Sequence, residues 1–492
     1  MSAGCYGQMN GYSTEIFEMN DHAGGCCTAW EKNGYTIDTC IHWLIGSRAP
    51  SPFHVFWKEI GAIQGKKMVD HEVYAMAEDG NGTILKLHND LDTLETHLTT
   101  LAPEDTKVIK VFIGAIKKCW KFPISVEKPF DLYTKIDMMK TMVRMAPFGL
   151  FFKKWSNLTL KDFSTRFRNP FLRTMFSEAL LPGFGDNPDI PMLNILMTFA
   201  MMSQKTVCYP LGGSNGLVKS ITERYLSLGG KMNLSNKVKD IIVSEHCAKG
   251  INLEDGSRVE GDVVISAIDI QKVIQNLLHE EYIDENFKTK LKSLKPVKPL
   301  IQIALGTRYR FKDLPDSVAG YIFRLNKIIS IGDEYVNWLL FQKYDFDKSL
   351  TPPDKTVIKV VIGSSYEYWN ALEYRSSRYI KEKQRIAEAV IDALDNKFNG
   401  LKDGIEMIDV ATPLSFERYT GNCNGSYMGW SIDPKTFTVI LPKTLSGLEN
   451  FYMIGHWIRM GGGLPNVIVT GRDIIQILCS RDGRIFKTTL PE

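Results

Sequence analysis

The segment that most constrains the fold lies near the C-terminal end, where a short apolar strand leads through a run of glycines into a helix. Residues 451–455 (FYMIG) have the composition of a buried strand, and the glycine-rich loop extends to Gly463. Pro465 stands where helices accept proline, and apolar residues continue at helical spacing to Leu478. Unpaired N–H groups and the helix dipole favour negative charge at such an N-terminus. This pattern predicts an anion-binding turn after a buried strand.

A second glycine turn precedes a helix in the middle of the chain. The residues YPLGGSNG (209–216) introduce this helix. Its apolar residues recur three to four positions apart, at Leu217, Ile221, Tyr225 and Leu228. Residues 237–243 then have strand character, Asp255-Gly256 indicates a hairpin turn, and residues 262–267 have the composition of a buried strand. Strands therefore alternate with a helix in this region.

The N-terminal residues predict a helix and a strand, followed by an acidic residue and a glycine-containing turn. A helix is expected to Asn10, a strand over residues 14–17, and a turn over residues 20–25 after Glu18. In a dinucleotide-binding βαβ unit, an acidic residue at the end of the second strand binds the adenosine ribose. Glu18 fits that position. The local pattern equally allows an ordinary solvated acid in a turn.

The glycine motif of such a unit is not found in the printed sequence. The pattern G-x-G-x-x-G normally stands about 20 residues before the ribose-binding acid. Counting back that far from Glu18 passes Met1. We therefore expect the glycine loop and the first strand to precede the printed sequence, and we expect the chain as printed to retain little flavin if it belongs to this class.

Composition excludes several other classes of protein. The 492 residues carry 59 Lys and Arg against 56 Asp and Glu, which gives a net charge of +3. This charge is too small to create the positive electrostatic field that nucleic-acid binding usually requires. Nine dispersed cysteines neither form a disulfide scaffold nor show metal-ligand spacing, and they favour a reducing, cytoplasmic setting. We expect no metal site, and the length predicts more than one structural unit.

Four segments together carry a family resemblance: IFEMNDHAGG, YPLGGSNGLVKSI, DVVISAID and FYMIGHWIRMGGGLPNVIVTG. In this order they resemble the phytoene desaturase and retinol saturase branch of the FAD-dependent amine oxidase-like superfamily. The resemblance covers nearly the whole chain. The terminal GGGLP segment favours the polyene branch, and residues 416–430 further resemble bacterial retinol-saturase-like members.

The resemblance implies roles for particular residues in binding FAD. Glu18 matches the residue on the adenosine ribose, Val238 matches the position whose backbone meets adenine, and Gly24 with Gly25 lets the chain approach the cofactor. The segment that passes the pyrophosphate, ribityl chain and isoalloxazine is matched by Gly455, Gly463, Leu464 and Pro465.

Two positions depart from the family pattern. Many relatives carry an arginine after the paired glycines, where this chain has Cys26, and an acidic residue where it has His456. The contacts of those two side chains with a cofactor are therefore not implied. No catalytic residue is assigned, although His42, His456 and Arg459 lie in or beside the cofactor-like segments.

The resemblance implies an α/β fold with two interwoven domains. A Rossmann-like FAD-binding domain, three-layered with a mostly parallel sheet but without its first strand and glycine loop, is expected over residues 1–76, 206–268 and 431–492. An α+β substrate domain is expected over residues 77–205 and 269–430.

The first of these substrate segments is rich in methionine, phenylalanine and basic residues. Nine of the nineteen methionines lie between Asp131 and Lys205. Flexible thioethers and aromatic rings suit either a tunnel for a long apolar substrate or an ordinary core. The cations of the same stretch, with Trp155 among them, suit either a peripheral contact with anionic lipid or a solvated face.

The expected reaction is hydride transfer between FAD and a carbon–carbon bond of an apolar polyene, as desaturation or saturation. Two alternatives remain at this point. One is amine oxidation on the same scaffold. The other is a flavin-deficient protein that only binds an apolar ligand.

Overall fold

The computed structural model describes residues 1–491, which form a mixed α/β fold with one large sheet and several smaller ladders. The strands are β1 (Glu15–Phe17), β2 (Ala29–Lys32), β3 (Tyr35–Asp38), β4 (Leu44–Ile45), β5 (Met68–Val69), β6 (Val73–Glu78), β7 (Ile84–His88), β8 (Val207–Pro210), β9 (Lys231–Asn233), β10 (Val238–Ser244), β11 (Cys247–Leu253), β12 (Arg258–Glu260), β13 (Val264–Ser266), β14 (Leu300–Thr307), β15 (Tyr321–Ile331), β16 (Glu334–Lys343), β17 (Thr356–Gly363), β18 (Ile405–Ala411) and β19 (Phe451–Met453).

Many of the helices precede β8 in the chain, one long helix packs on the large sheet, and another lies near the C-terminal end. They are α1 (Ser2–Met9), α2 (His54–Glu59), α3 (Leu91–Leu101), α4 (Thr106–Cys119), α5 (Lys135–Met145), α6 (Gly149–Ser156), α7 (Leu160–Ser164), α8 (Pro170–Leu180), α9 (Met192–Ser203), α10 (Gly213–Ser227), α11 (Ile270–Lys272), α12 (Glu285–Ser293), α13 (Tyr366–Ala371), α14 (Ser377–Lys397), α15 (Pro413–Thr420) and α16 (Leu464–Arg481). Among the described residues, no helix is both long and apolar enough to cross a membrane.

The parallel strands belong to the cofactor-like segments. Strand β1 pairs with β9, and β13 pairs with β19, both in parallel. Side chains from the two pairs, including Ile16 and Ile265, pack into one apolar cluster with α1, α10 and α16. Within residues 1–491 these strands form two separate two-stranded ladders rather than one sheet. The strand expected before Met1 lies outside the described residues.

The large sheet has seven strands in the order β18-β14-β17-β16-β15-β6-β7. Most neighbours are antiparallel, and β6 pairs with β15 in parallel. Side chains alternate between the two faces of a strand, so β14 and β17 each present one apolar row to α14. Ile303 and Val360 belong to that buried row and share a cluster with Val390 of α14. The opposite face of the sheet is left for a cavity.

The helices α3 to α9 form a second apolar core beside this sheet. Phe112, Phe163, Phe176 and Phe199 are buried there in mutual aromatic contact. The methionine- and phenylalanine-rich stretch is therefore largely core. The domain boundaries remain a prediction, and strand β6 runs across the first of them, between residues 76 and 77.

Candidate active site

A cavity of about 890 Å³ lies between the free face of the large sheet, the helical layer and the loop before α16. Its floor follows the pleat of the sheet. Lys359, Val361 and Gly363 of β17 line it together with Ile362, and β16 contributes residues 334–338, Leu340 and Gln342. Since a strand rises about 3.3 Å per residue, Lys359 and Gly363 lie about 13 Å apart along the floor. The cavity is therefore elongated along the strands.

Much of the lining between the ends of the cavity is apolar. Val361, Leu340 and Ile322 form its floor, and Met197 and Met201 of α9 form part of the opposite wall. Most other methionines of the rich stretch are elsewhere: Met192 is buried in the core, whereas Met139 and Met142 are exposed. The tunnel interpretation therefore holds for a few residues of the stretch, and the core interpretation holds for many others.

One end of the cavity, here called the cysteine end, consists of Cys26, Cys27, Cys40 and His42. Strands β2 and β3 form an antiparallel hairpin that brings these residues together. Burial raises the pKa of the Cys26 thiol to about 12. Burial, reinforced by the charge of Lys359, holds the pKa of His42 well below its usual value. These side chains are therefore uncharged at neutral pH.

Asp38 fixes the cysteine end to the first turn of α10. Its carboxylate accepts hydrogen bonds from the backbone N–H of Cys40 (2.9 Å) and Ile41 (3.2 Å). It also accepts bonds from the N–H and the hydroxyl of Ser214, each at 2.6 Å. The residue is 3% exposed, so this buried charge is held by several hydrogen bonds at once.

The other end of the cavity, here called the carboxylate end, consists of Glu178, Asp186, Lys298 and Glu334. Lys298 forms an ion pair of 2.8 Å with Glu334. Burial, with the charge of Asp186, raises the pKa of Glu178 to about 7. Asp186 and Lys298 both lie against Gly363, at the far end of β17 from Lys359. The two ends of the cavity thus differ in charge.

The loop between β19 and α16 forms a further wall of the cavity. Gly463 has a φ of 78° and is followed directly by Leu464 and Pro465, which begin α16. These three residues line the cavity, as do His456 and Arg459. The backbone N–H of Gly455 donates to the hydroxyl of Thr470 at 2.9 Å, which fixes the start of the loop to α16.

The remaining predicted cofactor residues lie outside this cavity lining. Glu18 directly follows β1, and its carbonyl accepts a hydrogen bond of 2.8 Å from the N–H of Asn236, two residues before Val238. The structure therefore brings Glu18 and Val238 close together. Gly24 and Gly25 have φ values of 128° and 59° in the turn that leads to Cys26 and Cys27. Their roles in cofactor binding stay predictions.

Two histidines present unsatisfied buried atoms at the cavity. His42 Nδ1 and His456 Nε2 are both buried without a hydrogen-bond partner in the described part of the chain. Burial lowers the pKa of His456 to about 4, so its ring is neutral at pH 7. Buried polar atoms usually have partners, and an unpaired atom in a cavity wall indicates a site that a bound group completes.

The mixed α/β fold with one large sheet defines the structural class of this protein. Two solved structures share the fold. One is an oxidoreductase from Methanosarcina mazei, with a TM-score of 0.61, 14% identity, and coverage of 96% of this chain and 97% of that one. The other is putrescine oxidase bound to putrescine, with a TM-score of 0.60, 13% identity, and coverage of 98% and 96%.

The chain belongs to the family of flavin containing amine oxidoreductases, whose model matches residues 1–474. Prolycopene isomerase of Arabidopsis thaliana is 23% identical over 465 residues, which cover 91% of this chain and 75% of that protein. The 4,4'-diaponeurosporene oxygenase of Staphylococcus aureus is 21% identical over 499 residues, covering 96% and 95%. The protein is an FAD-dependent oxidoreductase of the phytoene desaturase-like branch.

The residues present fit a flavin at the wall between the cysteine end and the α16 loop. The unpartnered ring nitrogens of His42 and His456 would gain hydrogen-bond partners from the polar groups of a flavin. A side-chain carbon on Gly463 would meet only Pro465, so the backbone there is open to close approach. First-turn N–H groups of α16 favour the anionic part of the cofactor.

Sequence reasoning missed the polar residues of the sheet floor and the carboxylate end. Lys359 and Gln302 occupy alternate positions in otherwise apolar strands, which is the pattern of a face turned toward a cavity. The pairing of Cys27 with Cys40 was also missed. The Asn33-Gly34 dipeptide is a strong hairpin signal that would have placed the two cysteines opposite each other.

Proposed function

We propose that this protein transfers hydride between FAD and a carbon–carbon bond of an apolar polyene, as a carotenoid desaturase or a retinol-saturase-like enzyme does. The observation that carries the proposal is the elongated apolar floor beside the α16 loop, formed by Val361, Leu340 and Ile322. A polyene is long, narrow and without hydrogen-bonding groups along its length. Such a molecule matches the contact area that these apolar side chains offer. Among the described residues, the cavity is also lined by side chains with unpartnered polar atoms, those of Tyr74, Asn194, Gln302 and Gln342. The curated relatives that act on carotenoid-type molecules by name support the same substrate class.

Specific residues of this chain would hold the cofactor. We propose that Glu18 binds the ribose, the Val238 backbone contacts adenine, and the turn at Gly24 and Gly25 admits close approach. Gly455, Gly463, Leu464 and Pro465 would follow the pyrophosphate, the ribityl chain and the edge of the isoalloxazine. The hydrogen bond between Glu18 and Asn236 supports the roles of Glu18 and Val238. The position of the α16 loop on the cavity supports the roles of Gly463, Leu464 and Pro465.

The cofactor, when bound, supplies hydride transfer. The protein positions the substrate and excludes water. The floor residues Val361 and Leu340 provide van der Waals contact that orients the polyene along β17. His42 and His456 stay neutral at pH 7 because burial lowers their pKa, so neither adds a charge beside an apolar substrate.

Amine oxidation is the second candidate, and the carboxylate end supports it. Glu178, Asp186 and Glu334 would attract a cationic amine, and only Lys298 offsets their charge within this group. A solved structure of the same fold is putrescine oxidase bound to putrescine. We favour the polyene because apolar side chains, among them Val361, Leu340 and Met197, form much of the lining between the two ends.

The experiment compares how flavin responds to the two substrate classes without oxygen, in purified protein to which FAD is added in excess because weak flavin retention is expected from the sequence. Flavin absorbance is recorded with a carotenoid or a retinoid in detergent micelles, starting from oxidised and from reduced flavin, and in parallel with putrescine. We expect the flavin absorbance to change with the carotenoid or retinoid and to stay unchanged with putrescine. Reduction by putrescine with no polyene response would overturn the proposal in favour of amine oxidation. Polyene binding by protein that takes up no flavin would establish the binding-only alternative.

A variant in the cavity floor tests whether the response arises at this site. Val361→Trp fills the middle of the trough and is expected to abolish the polyene response while the flavin absorbance is retained. The matched control is Ile328→Trp, an exposed position of the same sheet outside the cavity, which should leave the response unchanged. Equal responses in both variants would place the reaction elsewhere.

We propose in addition that helix α5 rests on a membrane surface with anionic lipids. The helix has no buried residue, and its apolar side chains Met142 and Val143 are each 70% exposed. Lys135, Lys140 and Arg144 alternate with them, which suits negatively charged headgroups. The segment after α5 also reaches the cavity, because the cavity-lining ring of Phe122 contacts Phe148, just before α6. A membrane at α5 would therefore lie near the cavity, which supports a lipid surface as the partner of this helix.

Vesicle sedimentation tests the membrane contact. The protein should bind vesicles with phosphatidylglycerol and bind phosphatidylcholine vesicles weakly, and Met142→Glu should reduce binding. Leu226→Glu, at an exposed position of α10, is the control that should bind as the wild type does. Binding unaffected by Met142→Glu would exclude α5, and a dimer that Met142→Glu dissociates would assign α5 to a second copy of the chain. The predicted cytoplasmic setting is compatible with either result.

A further inference from the structure

Two of the cysteines at the cysteine end occupy directly opposed positions of one hairpin. The register pairs Ala29 with Asp38 and Lys32 with Tyr35 around the turn at Asn33 and Gly34. Extending the same register by two residues places Cys27 opposite Cys40. The N–H of Thr39 donates to the carbonyl of Thr28 at 3.2 Å, which shows that the register continues beyond the strands.

The type of pair at this position suits a disulfide. A two-residue hairpin turn is closed by a hydrogen-bonded pair, and hydrogen-bonded and non-hydrogen-bonded pairs then alternate along the ladder. The pair of Thr28 and Thr39 is hydrogen-bonded, so Cys27 and Cys40 form the next, non-hydrogen-bonded pair. The Cα atoms of such a pair lie about 4.5 Å apart, within the range of about 4.4–6.8 Å that a disulfide requires.

The two thiols are in contact in the structure and are reached from the cavity. The Cys40 side chain is close enough to the Cys27 thiol to raise its pKa, and burial raises it further. Cys27 is 6% exposed, whereas Cys40 is half-buried, and both line the cavity. Cys26 is turned to a different partner, since its sulfur accepts a hydrogen bond of 3.2 Å from the side-chain amide of Asn422. Cys40 is therefore the accessible member of the pair and Cys27 the sheltered one.

We propose that Cys27 and Cys40 form a reversible redox site whose reactant is a small-molecule disulfide such as oxidised glutathione. The Cys40 sulfur, as its thiolate, attacks one sulfur of that disulfide and releases one glutathione thiolate. The Cys27 sulfur then attacks Cys40 in the mixed disulfide, which forms the Cys27–Cys40 bond and releases the second glutathione. Two thiols of the protein are oxidised, one glutathione disulfide is reduced, and the two thiol protons pass to the two released glutathione thiolates.

Closing this disulfide changes the wall of the cavity. The turn that carries Gly24 and Gly25 ends at Cys27, where the N–H donates to the carbonyl of Gly24 at 3.0 Å. Cys40 is held from the other side, because its N–H donates to Asp38. A covalent link between the two cysteines would fasten the glycine turn to the anchored end of β3. The site thus couples the redox state of the surroundings to the rigidity of this turn.

Peptide mapping of the full-length protein tests the proposal. The protein is equilibrated in buffers of increasing oxidised-to-reduced glutathione ratio, quenched in acid, alkylated and digested for mass spectrometry. Two of the nine cysteines should lose reactivity together, and the peptide with Cys27 should appear cross-linked to the peptide with Cys40. Reduction should restore both. Full reactivity of Cys27 and Cys40 at every ratio would overturn the proposal, as would a link from Cys26 to Cys40.

Three serine variants separate this pair from its neighbour. Cys40→Ser should abolish the cross-link. Cys27→Ser should leave Cys40 as a stable mixed disulfide with glutathione, because the resolving thiol is lost. The matched control Cys26→Ser should retain the cross-link. If a variant fails to fold, the mapping of the wild-type protein still decides the outcome, and loss of the cross-link in Cys26→Ser alone would contradict the assignment.

Discussion

The two ends of the cavity use burial in opposite ways. At the cysteine end, burial lowers the pKa of His42 and raises the pKa of Cys26 to about 12, so both side chains are neutral at pH 7. At the carboxylate end, burial raises the pKa of Glu178 to about 7, but the ion pair of Lys298 and Glu334 keeps charges in place. The same physical effect therefore keeps Cys26 and His42 neutral at one end and makes Glu178 titrate near neutrality at the other.

The ends also differ in how they are anchored. Asp38 accepts hydrogen bonds from Cys40, Ile41 and Ser214 and so ties the cysteine end to α10. At the carboxylate end, Asp186 follows a glycine turn, and the Lys298 and Glu334 side chains are 41% and 31% exposed. Buried hydrogen bonds therefore fix the cysteine end, whereas the carboxylate end relies on a partly solvated ion pair.

The largest effect is expected from Asp38→Asn. An amide in place of the carboxylate can accept at one atom only, and its NH₂ group would face the Ser214 N–H. We expect the free energy of unfolding to fall by about 2–4 kcal/mol, because charged hydrogen bonds in a buried site are lost. Urea denaturation measures this loss. The control Asp21→Asn alters an exposed acid near the same turn and should leave the free energy of unfolding close to that of the wild type. Similar values for both variants would show that Asp38 is not the anchor.

An intermediate effect is expected from Glu178→Gln, in the pH dependence of stability. The folded-state pKa of Glu178 is raised to about 7, above its unfolded value, so the folded state binds a proton that the unfolded state has released. Its contribution is fully present below the unfolded pKa of about 4.3 and is lost as the pH rises through about 7. The variant should flatten this decline by at most about 1.4 kcal/mol per pH unit.

The comparison for Glu178 uses an exposed acid. Glu281→Gln should keep the wild-type slope between pH 5 and pH 8, because Glu281 lies at the surface. Denaturation by urea at several pH values measures the slopes. An unchanged slope in Glu178→Gln would mean that the carboxylate end does not titrate near neutrality, and the contrast between the two ends would fail.

The smallest effect is expected from Lys298→Met. The pair of Lys298 with Glu334 is partly solvated, so its loss should lower the free energy of unfolding by only about 0.5–1 kcal/mol. The charge of Lys298 lowers the pKa of Asp186, and its removal should raise that pKa further. The control Lys288→Met breaks an exposed ion pair with Glu285 on α12. It should lower the free energy of unfolding by less than Lys298→Met does. A loss as large as that of Asp38→Asn would make the two ends equally anchored.

Much of the fold was predictable because it depends on local patterns. Helix α14 (Ser377–Lys397) carries an apolar face and the Ser376 cap, which are both local signals in the sequence. Strands β14 and β17 are short runs rich in Ile, Leu and Val, which is a local signal too. Strand β16 was not predicted, because its place depends on pairing with β15 and β17 rather than on a flanking turn.

The site was predictable only where a motif marks it. The α16 loop was expected from its glycines, and the structure places Gly463, Leu464 and Pro465 on the cavity. The carboxylate end could not be expected, since Glu178, Lys298 and Glu334 come from separate elements that meet through the sheet. Cys27 and Cys40 fall between these cases. The Asn33-Gly34 dipeptide indicated a hairpin, but only the register of β2 against β3 shows that the two cysteines are opposed.

A crystal structure of the protein with FAD and a carotenoid tests the central claim most directly. We predict continuous density for the polyene along Val361, Leu340 and Ile322, with one of its carbon–carbon bonds against the flavin beside the loop from Gly461 to Gly463. Density for the polyene only outside the cavity, with the trough filled by ordered water or by an amine at the carboxylate end, would contradict it.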